Sequence, residues 1–104
     1  MARVPFGYRL EGSTYQIDDS EAAVVQRIFD EFTRPYIRAG LSEIADGLNL
    51  DEIATQRGGR WYASTVKYIL SNAVYVDDPR AIISRNIYDQ AQSRLTSLKM
   101  GPTR

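Results

Sequence analysis

At 104 residues the chain suffices for one small domain with a single core, and not for two. Hydrophobic residues make up 43% and charged residues 25%, the profile of a soluble globular chain, and thirteen basic residues balance thirteen acidic ones. The absence of cysteine and histidine excludes disulfides, thiolate zinc sites, cysteine nucleophiles and imidazole chemistry, and no apolar run approaches the ~20 residues of a membrane span.

In chain order, the opening "VPFGYRLEGSTYQID" reads as an extended lead-in followed by a short hairpin. Tyr8 and Leu10 alternate with Arg9, Glu11-Gly12-Ser13 supply turn chemistry, and Tyr15 and Ile17 resume the alternation. "DDSEAAVVQRIFDEFTR" is the clearest helix. Asp18 is a good N-cap with Glu21 three residues on, which resembles a capping box. Val25, Ile28, Phe29 and Phe32 share one buried face, and Pro35 sets the stop. "GLSEIADGLN" is a second, shorter helix with Leu41, Ile44, Ala45 and Leu48 on one side. Gly47 inside it costs about 1 kcal/mol against alanine, so this helix needs tertiary support.

Residues 50–62 form a connector ending in Arg57-Gly58-Gly59-Arg60-Trp61, a tight turn or a small wing. The third helix, 63–72, buries Val66, Ile69, Leu70 and Ala73 and turns Ser64, Thr65, Lys67, Tyr68 and Ser71 to solvent. A fourth helix starts near Ser84, a suitable N-cap, and uses Ile87, Tyr88, Ala91 and Leu95; residues 99–104 are a frayed tail. The fold class is therefore mainly α, four helices around one core with a short N-terminal β-hairpin.

Charge is unevenly placed. Residues 11–31 hold six acids against Arg27 alone, whereas no acid lies between Ile53 and Val76, a stretch that holds Arg57, Arg60 and Lys67. A neutral chain can thus present one basic face. A helix face of Ser, Thr, Lys and Tyr suits a DNA groove: short hydroxyl donors, one cation and an aromatic, with no carboxylate to repel phosphate. The Gly58-Gly59 turn lets a backbone approach phosphate closely while flanking arginines reach the strand. Three basic residues near a helix start also describe an ordinary solvated surface, and Trp61 alone reads as a core residue rather than a base-stacking platform. The thirteen residues from 50 to 62 exceed the about 3–4 that join an ordinary helix-turn-helix, so a winged or otherwise elaborated variant is required. No catalytic residue, cofactor or metal site is read from the sequence.

"PFGYRL", "DSEAAVVQRIFDEF", "LSEIADGLN", "ATQRGGRWYASTVKYILSNAVY" and "AIISRNIYDQAQSRL" resemble, in that order, the recombinase domain of large serine recombinases. This is the DNA-binding segment that follows the resolvase-type catalytic domain in phage integrases and transposon recombinases. The resemblance covers nearly the whole chain, and its most specific part combines Gly-Gly-Arg-Trp, the Ser-Thr-Val helix and the terminal Ala-Ile-Ile-Ser. It implies one helix-turn-helix-like (winged variant) DNA-binding domain over residues 1–104. Residues 1–7 would lead in from an upstream catalytic domain, with Arg3 to Tyr8 near the minor groove and the third helix in the major groove.

By position, Arg57 and Arg60 become backbone-contact candidates, and Ser64, Thr65, Lys67 and Tyr68 groove-facing ones. The implied partners are double-stranded recombination-site DNA and other recombinase subunits, in a bacterial or phage cytoplasmic setting on nucleoid DNA. The acidic first helix offers an alternative, a protein-interaction surface for another subunit or an accessory factor. The chain departs from the family in lacking the upstream serine and its arginine-rich site, and in lacking the cysteines of the zinc ribbon that usually follows. The chain alone is therefore expected not to be an enzyme. Tyr62 stands where a small capping residue is common, so the third helix is expected to be capped by Ser64 or to start later. More sequence commonly stands between Val76 and Asp77.

Overall fold

In the computed structural model, residues 4–56, 58–77 and 79–100 are described. Strands β1 (Tyr8–Glu11) and β2 (Thr14–Ile17) pair antiparallel, with Tyr8 opposite Ile17 and Glu11 opposite Thr14. Helices α1 (Asp19–Thr33), α2 (Leu41–Leu50), α3 (Ala63–Leu70) and α4 (Arg85–Met100) follow, with a 3-10 turn at Ala73–Val76 between the last two. The fold is mainly α with a short hairpin, as expected, and no helix among the described residues is long and apolar enough to cross a membrane. The hairpin loop is Gly12-Ser13, and Gly12 takes the positive φ of +63° that a glycine-first two-residue loop requires.

Helix α1 is the axis of the core. Val25, Ile28, Phe29 and Phe32 are all fully buried, and α2, α3 and α4 each pack on it. Asp18 caps it, accepting from the Glu21 N–H at 3.1 Å. The reciprocal half of the capping box is not made. The Glu21 carboxylate instead accepts from the Gly7 N–H at 2.8 Å, while the Asp18 N–H donates to the Gly7 carbonyl at 2.9 Å. These two bonds tie the lead-in to the start of α1. Gly7 has φ +106°, and a Cβ there would meet Ile82 at 3.1 Å and Val25 at 3.2 Å, so glycine is required twice over.

Acids of α1 are engaged within the fold: Glu31 holds Arg27 together with Asp51 at the end of α2, and Asp30 holds Arg34. The guanidinium of Arg27 passes 3.3 Å from where a Gly47 Cβ would sit, so an alanine there would make that side chain give way by a few tenths of an ångström. Helix α4 closes the bundle. Its Arg94 donates to the Phe32 and Ala39 carbonyls and lies 4.3 Å over the Phe32 ring, satisfying the end of α1.

Five expectations change. Leu10 is 53% exposed, because Tyr8 alone of the first strand reaches the core. Helix α3 stops at Leu70 rather than 72, and Ala73 is exposed in the 3-10 turn, where Tyr75 takes the buried position. Asn72 causes this break by accepting from the Val74 N–H at 3.0 Å, a local bond that competes with helix continuation. No strand forms beside Gly58-Gly59 among the described residues, so this feature is a turn and not a wing. Helix α3 begins at Ala63 with Tyr62 as N-cap and no side-chain cap bond, so Ser64 is not the cap. At the other end α4 is regular through Met100, so only residues 101–104 of the expected tail lie outside the described residues.

Candidate nucleic-acid interface

The connector between α2 and α3 is pinned rather than loose. Helix α2 ends with Glu52 at φ 59°, its N–H donating to Asn49 and the Ile53 N–H reaching back to Leu48, each at 3.0 Å. This double bond pattern turns the chain sharply and normally uses glycine at the left-handed position. Asn49 then clamps the far end of the connector. Its amide oxygen accepts from the Trp61 N–H at 2.8 Å and its amide nitrogen donates to the Trp61 carbonyl at 2.9 Å. Trp61 is 2% exposed, donates its indole N–H to the Ile53 carbonyl at 2.9 Å, and meets Phe6 edge-on at 5.3 Å between centroids. It is a core residue, as its sequence context indicated. Asn49 was not singled out by the sequence, since an asparagine inside a helix carries no local sign of a distant backbone partner.

Between these pins lies the glycine turn. Gly58 has φ +81°, and its N–H donates to the Thr55 carbonyl at 2.9 Å; the Gly59 N–H donates to the Thr55 hydroxyl at 2.8 Å. Both donors are thus used internally, so the pair offers a smooth exposed backbone rather than free N–H groups for an anion. Arg60 follows, exposed and without an ion pair among the described residues. Arg3 and Arg57 lie outside the described residues.

Helix α3 turns most of the remaining candidates to solvent, but Thr65 less than expected. Val66, Ile69 and Leu70 are buried, Ser64, Lys67 and Tyr68 are exposed, and Thr65 is half-buried. Lys67 also lacks an ion pair among the described residues. The Ser71 hydroxyl is turned back onto the Lys67 carbonyl at 2.8 Å. The C-terminal carbonyls of α3 are held by α4, with Gln92 donating to Leu70 at 2.6 Å and Tyr88 to Ser71 at 3.3 Å.

Arg60, Thr65 and Tyr68 come together on a groove of about 690 Å³. Val4-Pro5-Phe6 forms one wall, tied to the connector by the Gln56 amide, which donates to the Val4 carbonyl. Trp61, Ile69 and Tyr75 lie beneath. Burial pushes the Tyr75 hydroxyl above its ordinary pKa, with Tyr8, Tyr68 and Glu21 adding to the effect, and it donates to the Phe6 carbonyl at 2.6 Å. Ser64 and Lys67 sit off the groove on the neighbouring strip of α3. Tyr62, 59% exposed, also lines the groove and was missed as a contact residue, although it stands three residues before Thr65. Among the described residues no group of acids is arranged to hold a metal ion.

This surface has cations without ion pairs among the described residues, hydroxyls and exposed aromatic rings on a helix whose opposite side is locked in the core. Neither curated proteins nor solved structures yield a match to the chain. The Recombinase family model matches residues 19–76, more than half of the 104, from the start of α1 through the pinned connector and α3 to the 3-10 turn. The chain therefore belongs to the recombinase family, and its role is in site-specific recombination.

Proposed function

We propose that this chain is the DNA-binding domain of a serine-type site-specific recombinase. It recognises double-stranded recombination-site DNA in the bacterial cytoplasm, while a separate catalytic domain of the parent enzyme exchanges strands. Helices α2 and α3 act as an elaborated helix-turn-helix in which the pinned connector replaces the short turn. The observation that carries this reading is the acid-free stretch from Ile53 to Val76, where Arg60 and Lys67 stand exposed and without ion pairs among the described residues, beside a rigidly mounted helix face. Low local negative charge and unpaired cations suit a phosphate backbone. The rival surface, acidic α1, has much of its charge engaged: Asp18 caps the helix, Glu21 holds Gly7, and Asp30 and Glu31 hold arginines.

The test is fluorescence anisotropy of a labelled mixed-sequence 24-base-pair duplex titrated with the full chain at three salt concentrations. Affinity should fall steeply with salt, with a log–log slope of about −0.9 for each phosphate contact. Arg60→Ala should weaken binding to all duplexes alike and make that slope shallower by about one unit. Salt-insensitive binding, or none, overturns the reading.

A further inference from the structure

The outward surface of α3 divides into two strips of different chemistry. Tyr62, Thr65 and Tyr68, spaced three residues apart, all line the groove; Ser64 and Lys67 do not. Residues three apart on a helix are neighbours, so Thr65 and Tyr68 form one continuous patch, extended toward the helix start by Tyr62. Tyr68 is 70% exposed, and the groove beneath the patch is floored by Trp61, Ile69 and Tyr75. This strip offers a methyl group and aromatic rings, with hydroxyls as its only polar atoms.

The residues that α3 lacks decide what it can read. Hydrogen-bonded discrimination of bases relies on arginine or lysine for guanine, asparagine or glutamine for adenine, and carboxylates for cytosine. The helix reads ASTVKYIL, with Lys67 the single residue of those types. Gln56, the nearest amide on the groove wall, already donates to the Val4 carbonyl. Arg60 lines the groove from the glycine turn rather than from the helix, and the strip's hydroxyls discriminate bases poorly; the strip's distinctive contact is therefore apolar, and in the major groove the apolar group that marks a base is the thymine 5-methyl.

Resting on the DNA-binding reading above, we propose that the Tyr62–Thr65–Tyr68 strip recognises thymine methyl groups, so that this domain selects sites by the placement of thymines. Lys67, on the adjacent strip, contacts a guanine edge or phosphate. Charge complementarity brings the duplex to this face, and the apolar strip sets the register along it.

The experiment begins with selection of tight-binding duplexes from a randomised 20-base-pair pool by the full chain. The best duplex is then resynthesised with deoxyuridine in place of thymine, which removes the methyl groups and leaves every hydrogen-bonding edge intact. Each contacted methyl should be worth about fourfold in affinity, so loss of two should weaken binding by roughly tenfold or more. In Tyr68→Ala the ratio between thymine and deoxyuridine duplexes should shrink toward one. Thr65→Ser, which removes only a methyl, should reduce it in part, and Lys67→Ala should weaken both duplexes while leaving the ratio intact. Equal binding of the two duplexes with a steep salt slope would overturn the methyl assignment and leave the DNA-binding reading standing. A ratio that Tyr68→Ala and Thr65→Ser leave untouched, or selected sites without shared thymines, also overturns it. Absence of binding to any duplex removes both.

Discussion

Trp61 joins three parts of the molecule through one side chain and one peptide unit. Its ring packs on Phe6 of the lead-in, its indole N–H satisfies Ile53, and its backbone is clamped by Asn49 of α2. Trp61→Ala should therefore cost on the order of 3–5 kcal/mol of stability, with the Ile53 carbonyl left without its donor. Thermal or urea melting measures this, and an unchanged melt with collapsed DNA affinity would instead make Trp61 a contact residue. Tyr75 has a comparable position at the groove floor. Its folded pKa is raised by burial, so its hydroxyl contributes fully below the unfolded value of about 10. That contribution is lost as pH rises from there through the folded value. The melting temperature should fall above about pH 10, and Tyr75→Phe should flatten that decline while lowering neutral-pH stability by about 1 kcal/mol through loss of the bond to Phe6. Part of the alkaline slope should persist, because Tyr8 is likewise raised, by burial first and Asp77 second.

At the scale of elements, the connector between α2 and α3 is the feature that adapts this fold. A longer connection than a simple turn would ordinarily cost orientation, yet here Asn49, Thr55 and Ile53 each accept a bond from its far side. The exit from α2 is the strained point. Glu52 occupies a left-handed conformation that disfavours a side chain by roughly 1–2 kcal/mol, partly offset in glycine by greater chain entropy. Glu52→Gly should stabilise the domain by about 0.5–1 kcal/mol, measured by urea melting, without altering DNA affinity. A destabilised variant would show that the Glu52 side chain has a role the strain argument omits. Helix α3 is held at both ends, by the Tyr62–Trp61 backbone and by Gln92 and Tyr88 of α4. The residues that hold its far end lie beyond the matched family span of 19–76.

For the whole molecule, neutrality overall hides a division of labour between its charges. Acids of α1 are used to build the scaffold, and the acid-free segment turns Arg60 and Lys67 outward, unpaired among the described residues. The whole chain contains neither histidine nor cysteine. We expect it alone to bind duplex without breaking it: incubation with supercoiled plasmid should leave the topoisomer distribution unchanged on a gel. Reproducible nicking by a clean preparation would contradict this and require a nucleophile within these residues.

Periodicity determined that the helices form and which faces they bury, because burying one face is a local demand repeated every three to four residues. Val25, Ile28, Phe29 and Phe32 in α1, and Val66, Ile69 and Leu70 in α3, sit where that spacing puts them. The same rule set the outward face of α3, so Ser64, Lys67 and Tyr68 were legible as exposed candidates. The hairpin also followed from alternation, although Leu10 did not share the fate of Tyr8, since only the inner end of a two-stranded ribbon has a core to pack on. Tertiary structure decided what joins distant residues. Glu21 left its capping box for Gly7, Asn49 clasped Trp61, and Gln56 tied down Val4. Each is a polar side chain whose partner is a backbone group. Backbone groups are alike at every position, so the sequence carries no mark of which one a side chain will find until the chain has folded.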